Sequence, residues 1–135
     1  MTLNPNIKIL VVDDFKTMRK IIKNILTQLG FKNIIEADDG TTALELLKKQ
    51  KVDLIISDWN MPKMNGLELL KTVRSDDNLK DIRFIMVTAE AQKENVIEAI
   101  KHGVNQYVVK PFTPKTLKEK LEKITPELAK YIRTE

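Results

Sequence analysis

The stretch ILVVDD, from Ile9 to Asp14, runs four apolar residues into two carboxylates, and three later stretches share its form. LIISD (Leu54 to Asp58) ends on a carboxylate, FIMVT (Phe84 to Thr88) on a hydroxyl and YVVK (Tyr107 to Lys110) on an ammonium. Unbroken apolar runs of this length read as strands buried on both faces, the pattern of a parallel sheet. As neighbouring strands they would deliver Asp13, Asp14, Asp58, Thr88 and Lys110 to one edge, where open α/β sheets take their ligands.

Amphipathic helices separate these runs. Met18, Ile21, Ile22, Ile25, Leu26 and Leu29 form a helical stripe over Lys16 to Leu29, closed by Gly30. Asp39-Gly40-Thr41 opens a second helix through Ala43, Leu44 and Leu47. Asn65 with Glu68 three residues on reads as a capping box for a third, with Leu67, Leu70 and Val73 inward. A fourth runs from about Gln92 to His102 through Val96, Ile97 and Ile100, stopped by Gly103. Thr113-Pro114 starts a fifth through Leu117, Leu121 and Ile124. Strands are expected at Ile7 to Val12, Asn33 to Ala37, Leu54 to Ser57, Arg83 to Thr88 and Gln106 to Val109. The alternation predicts an α/β fold, a doubly wound five-stranded parallel sheet with helices on both faces.

The chain has 135 residues, the size of one domain, and no cysteine, which removes disulfides and thiolate metal sites. Its start lacks the features of a signal peptide, and no run approaches the length of a membrane span. A cytoplasmic protein is expected. The net charge of +4 comes from basic residues interleaved with acids, as in Lys118-Glu119-Lys120, which argues against nucleic-acid binding.

Three carboxylates at one edge would repel one another unless a cation sits among them. Aspartate and carbonyl oxygens suit a hard divalent ion such as Mg²⁺, and neither Cys nor His is placed to favour zinc. Lys110 and Thr88 add what phosphoryl transfer to a carboxylate needs: an ammonium and a hydroxyl for the phosphoryl oxygens. Asp58 is the best nucleophile, because it stands alone on its strand whereas Asp13 and Asp14 are paired. The carbonyl of Asn60, two residues on, would complete the metal shell. Each residue also has a structural reading: Asp14 as the cap of the first helix, Asp58 and Asn60 as turn residues, Thr88 as a backbone partner, Lys110 as a solvated strand end.

VVDDFKTMR (Val11 to Arg19), ISDWNMPKMNGLELLKTVR (Ile56 to Arg74), MVTAEAQKENVIEAI (Met86 to Ile100) and YVVKPFT (Tyr107 to Thr113) closely resemble the receiver domains of two-component response regulators, in particular the chemotaxis type. The resemblance covers residues 7 to 124. It implies a flavodoxin-like strand order 2-1-3-4-5, phosphorylation of Asp58 from a phosphohistidine of the sensor histidine kinase CheA, and Mg²⁺ held by Asp13, Asp14, Asp58 and the Asn60 carbonyl. It implies Thr88 and Lys110 as contacts of the phosphoryl oxygens and a cis Lys110-Pro111 bond. It further implies a switch in which Thr88 moves toward the phosphate and Tyr107 turns inward. The flagellar motor switch protein FliM would then be met by a face containing Ala91, Lys93, Tyr107 and Lys120. Trp59 adjoins the site, and Asn60 and Glu90 flank the acyl phosphate, where the phosphatase CheZ acts in some relatives. The reaction is self-phosphorylation and self-dephosphorylation of an aspartate in a monomer, not the turnover of an enzyme. The tail, Thr125 to Glu135, extends past the family's last helix; either it forms a short helix whose Leu128, Tyr131 and Ile132 fold against the domain near helix five, or it is a frayed, solvent-exposed end.

Other functions fit less well. A phosphatase of the haloacid dehalogenase type needs a second aspartate where Asn60 stands. A flavin carrier needs a glycine-rich phosphate cradle, and the turn Asp13-Asp14-Phe15-Lys16-Thr17 is acidic. A receiver that shuttles phosphate in a relay unrelated to the motor differs only in its partner.

Overall fold

The structure, a computed structural model, describes residues 6–89 and 93–124. Five strands alternate with five helices: β1 Lys8–Val12, α1 Lys16–Gln28, β2 Asn33–Ala37, α2 Gly40–Lys49, β3 Leu54–Asp58, α3 Gly66–Ser75, β4 Arg83–Thr88, α4 Lys93–Lys101, β5 Gln106–Val109 and α5 Pro114–Ile124. All pairings are parallel and the strand order is β2-β1-β3-β4-β5, as expected. The chain reverses its direction of travel across the sheet between β1 and β3, so the crevice lies at their carboxyl ends.

The unbroken apolar runs explain why both faces are covered. Along β1, Ile9 and Val11 point into one layer with α1 and α5, where they meet Ile22, Leu26, Leu117 and Leu121. Leu10 and Val12 point into the other, with Ala43, Leu47, Leu69 and Val73 of α2 and α3. This alternation is the period of two of a strand, with a core on either side. Each such side chain contributes about 1.5–3 kcal/mol on burial, so the central strands anchor the edge they terminate at.

The helix signals hold locally. Asn65 and Glu68 form the reciprocal capping box, at 2.9 Å in each direction. Asp39 caps α2, accepting from the backbone of Thr41 and Thr42. Gly30 and Gly103, at φ 104° and 87°, occupy the left-handed region that ends α1 and α4. The Thr113 hydroxyl accepts from the Thr116 amide at the start of α5. The Lys110-Pro111 bond is cis.

The alternative of Asp14 as the cap of α1 fails: the N-cap position falls to Phe15, which offers no side-chain acceptor. On α3 Leu70 and Val73 are buried as expected, joined by Leu69, and Leu67 packs partly buried against the same core. On α4 the small Ala99 is fully buried, and Ile97 and Ile100 are 44% and 63% exposed. A helix with two apolar stripes can present either, and the one carrying the smaller side chain lies nearer the sheet. Glu90, Ala91 and the tail from Thr125 to Glu135 lie outside the described residues.

Candidate functional site

The four strand ends converge. Oxygens of Asp13, Asp14 and Asp58 lie within 4.8 Å of one another. Lys110 reaches between them, its Nζ 3.3 Å from Asp13 Oδ2 and 3.3 Å from Asp58 Oδ1. Asp13, Asp58 and Thr88 are buried, and Lys110 is largely so. Trp59 adjoins the cluster, half-buried, and Asn60 beyond it is exposed.

Backbone bonds hold these side chains at the edge. The Trp59 amide donates to Val87 O at 2.9 Å, and the Lys110 amide to Thr88 O at 2.7 Å. The Ser57 hydroxyl donates to Asp58 O at 2.9 Å. Gly66 opens α3 directly behind Asp58: a β-carbon there would collide with the Asp58 carbonyl and come within 2.7 Å of Met86 Sδ. Only glycine lets the helix start so close to the strand end.

Burial pushes the Asp13 carboxyl above the ordinary carboxylate range, and the Phe15 amide and Lys110 offset only part of that. Burial also raises Asp58, as does the charge on Asp13, against the pull of Lys110. One ammonium is therefore insufficient for this cluster. Asp14 is partly exposed, yet its Oδ1 is buried without a hydrogen-bond partner among the described residues. An all-oxygen donor set with an orphaned carboxylate oxygen fits a hard divalent cation such as Mg²⁺.

At the outer side, Tyr107 is half-buried, its hydroxyl hydrogen-bonded to Thr88, and burial raises its phenol above the usual range. Its ring meets Trp59 edge-on, with centroids 6.4 Å apart and planes at 63°. Thr88, Tyr107 and Trp59 thus form one chain of contacts leading from the carboxylates toward β5. Lys120 lies on α5, partly exposed, and Lys93 opens α4.

Two contributors escape sequence reasoning. Gly66 is one, because only the packed structure reveals the close approach. Arg19 is the other: its Nη1 donates to the Asp13 carbonyl at 2.7 Å and its Nε to Glu36 Oε1 at 2.9 Å. The periodicity that placed Arg19 on α1 says nothing about a backbone target. Far from the carboxylates, at the opposite ends of α3 and α4, a shallow cleft of about 510 Å³ is lined by Lys71, Arg74, Ser75, Lys101, His102 and Gly103. Arg74 is committed there to Gly103 O, Lys80 O, Ile82 O and Asn105 Oδ1, so it joins loops instead of presenting charge.

Comparison with known proteins agrees with this geometry. Residues 9–122 match the response regulator receiver domain. The chain is 59% identical over 126 residues to the chemotaxis protein CheY-3 of Vibrio cholerae serotype O1, covering 93% of this chain and 97% of that protein. It is 60% identical over 117 residues to the chemotaxis protein CheY of Pseudomonas aeruginosa, covering 87% and 94%. The solved structure of Vibrio cholerae chemotaxis protein CheY4 superposes with a TM-score of 0.82 at 36% identity, covering 88% of this chain and 98% of that one. A central switch-point crevice, a lysine-bridged carboxylate cluster and these relatives coincide on one family. The chain belongs to the response regulator receiver domains, and within them to the chemotaxis regulators of the CheY type.

Proposed function

We propose that Asp58 is the phosphoacceptor of a chemotaxis signal, and that its phosphorylation changes the face built from α4, β5 and α5. The observation that carries this is Lys110 Nζ lying 3.3 Å from both Asp13 and Asp58, which puts an ammonium beside the one buried carboxylate among the described residues that ends an inner strand alone.

Asp13, Asp14 and Asp58, with the Asn60 carbonyl, would hold Mg²⁺, and that ion supplies charge neutralisation at the phosphoryl oxygens when bound. An Asp58 carboxylate oxygen attacks the phosphorus of a phosphohistidine on the sensor kinase CheA. The new P–O bond forms as the P–N bond breaks, and the imidazole leaves with the electron pair. Lys110, already at the carboxylate, follows the charge onto the phosphoryl group, and the Thr88 hydroxyl donates to one of its oxygens. That rearranges the Thr88–Tyr107 hydrogen bond, and Tyr107 with Trp59 carries the change outward. Hydrolysis at the same site, beside Asn60, ends the signal, with or without a phosphatase such as CheZ.

The receiving surface is supported by apolar exposure. Ile97 and Ile100 of α4 and Val109 of β5 stand out in solvent, and Lys120 adds charge. Such a surface suits the motor switch protein FliM. The test is incubation with Mg²⁺ and acetyl phosphate, or with phosphorylated kinase, followed by mass spectrometry. A hydroxylamine-labile phosphate is expected on the wild-type chain and none on Asp58→Asn. Phosphate retained by Asp58→Asn would place the nucleophile elsewhere.

A further inference from the structure

Among the three carboxylates, Asp13 is held at every polar atom. Its amide donates to Ala37 O at 3.1 Å, its Oδ1 accepts from the Phe15 amide at 2.9 Å, and its Oδ2 faces Lys110. Asp14 is the opposite case, because its buried Oδ1 makes no hydrogen bond. Its direction must therefore come from the backbone, and the peptide plane that sets it begins at the Asp13 carbonyl. That carbonyl is the acceptor of Arg19 Nη1.

Arg19 is suited to fix a plane. Its side chain is 15% exposed, and its guanidinium is held from the other side by Glu36 on β2, with Lys23 3.5 Å from the second Glu36 oxygen. A planar fork gripped by a carboxylate at Nε and donating at Nη1 has little freedom left. It ties α1 and β2 to the loop that carries both aspartates. We propose that Arg19 is a positioning residue for the cation site: by holding the Asp13 carbonyl it aims the Asp14 carboxylate, and Glu36 holds Arg19 in place to do so. This rests on the reading of the cluster as a Mg²⁺ site.

Charge and position predict opposite signs, which makes the idea testable. Removing a cation beside a cation site strengthens metal binding by charge alone. Loss of an outer partner that orients a ligand weakens it, typically by 10–100-fold. The experiment is Mg²⁺ titration of the full chain by Trp59 fluorescence and by calorimetry, with metal-free thermal unfolding in parallel. Arg19→Met, which keeps the aliphatic stem, is expected to bind Mg²⁺ about tenfold more weakly. Arg19→Lys, whose single ammonium cannot serve both oxygens in this geometry, is expected to fall between. Lys23→Ala loses the same charge without touching the loop and should bind as tightly as wild type or slightly more so. Equal or tighter binding by both Arg19 variants overturns the positioning role while leaving the metal site intact. A wild-type chain that takes up no Mg²⁺ overturns the metal reading and this inference with it.

Discussion

Asp58 and Asp13 are acids placed where their charge is least welcome, and the cost is visible in the direction both carboxyls shift. In the metal-free protein, Asp58→Asn should therefore raise stability by about 1 kcal/mol, because it removes one desolvated charge while Asp13 keeps Lys110. Chemical denaturation in a chelator checks this; a loss of stability would mean that the lysine more than offsets the burial. Gly66→Ala should act the other way. Its methyl group would press on the Asp58 carbonyl, which is backbone, and on the buried Met86 thioether, so a loss of about 1–3 kcal/mol is expected from denaturant midpoints. The convergence of the polar strand ends was legible from sequence because four strand-like runs each end on a polar residue, and a parallel sheet carries such ends to one edge. Gly66 and Arg19 were not, since one acts through a close approach and the other through a backbone oxygen, and neither leaves a mark in composition or spacing.

Elements were legible where a local rule sets them. The capping box at Asn65, the Asp39 cap and the glycines ending α1 and α4 depend on bonds within a few residues, and all formed as read. The inward side of α4 depends on what packs against it, so sequence periodicity named Ile97 and Ile100 while the fold buried Ala99. Arg74 belongs to this scale as well, because its guanidinium joins the end of α3 to the loops before β4 and β5. Arg74→Ala should cost about 1 kcal/mol, since water can replace the exposed bonds and only the Ile82 carbonyl is part-buried, yet leave phosphorylation of Asp58 unchanged, since this cluster sits at the opposite edge of the sheet. Thermal unfolding and a phosphorylation time course on the same variant separate the two effects.

Across the whole molecule, pH and metal are linked through the same acids. A carboxyl whose folded value is raised is a stabilising contribution below the ordinary carboxylate range, lost as pH rises through the raised value. Asp39 runs counter to this: the Thr41 hydroxyl and Thr42 amide hold it low, so its contribution is present above the ordinary value and lost on acidification below it. If Asp13 and Asp58 hold Mg²⁺, the ion competes with protons for them, so its stabilising effect should grow as pH rises above the ordinary carboxylate range. At one hundred times its dissociation constant it should add about 2.7 kcal/mol near neutrality, and less at the acid end, measured as a thermal shift. A shift independent of pH would mean that those two acids do not bind the ion. Retention of phosphorylated chain on FliM, against a free phosphotransfer domain, separates motor control from a relay.

With all three acids ionised, Lys110, touching two of them, would leave the cluster two negative charges short of balance. That residue of charge is a valence filter. Potassium and sodium, however abundant, leave one charge unanswered in a pocket where burial makes every unanswered charge expensive, whereas a divalent ion closes the balance. On the Mg²⁺ reading the lysine would set the charge of the ion that suits the crevice before any phosphate arrives, and raising ionic strength should not substitute for magnesium in the thermal shift.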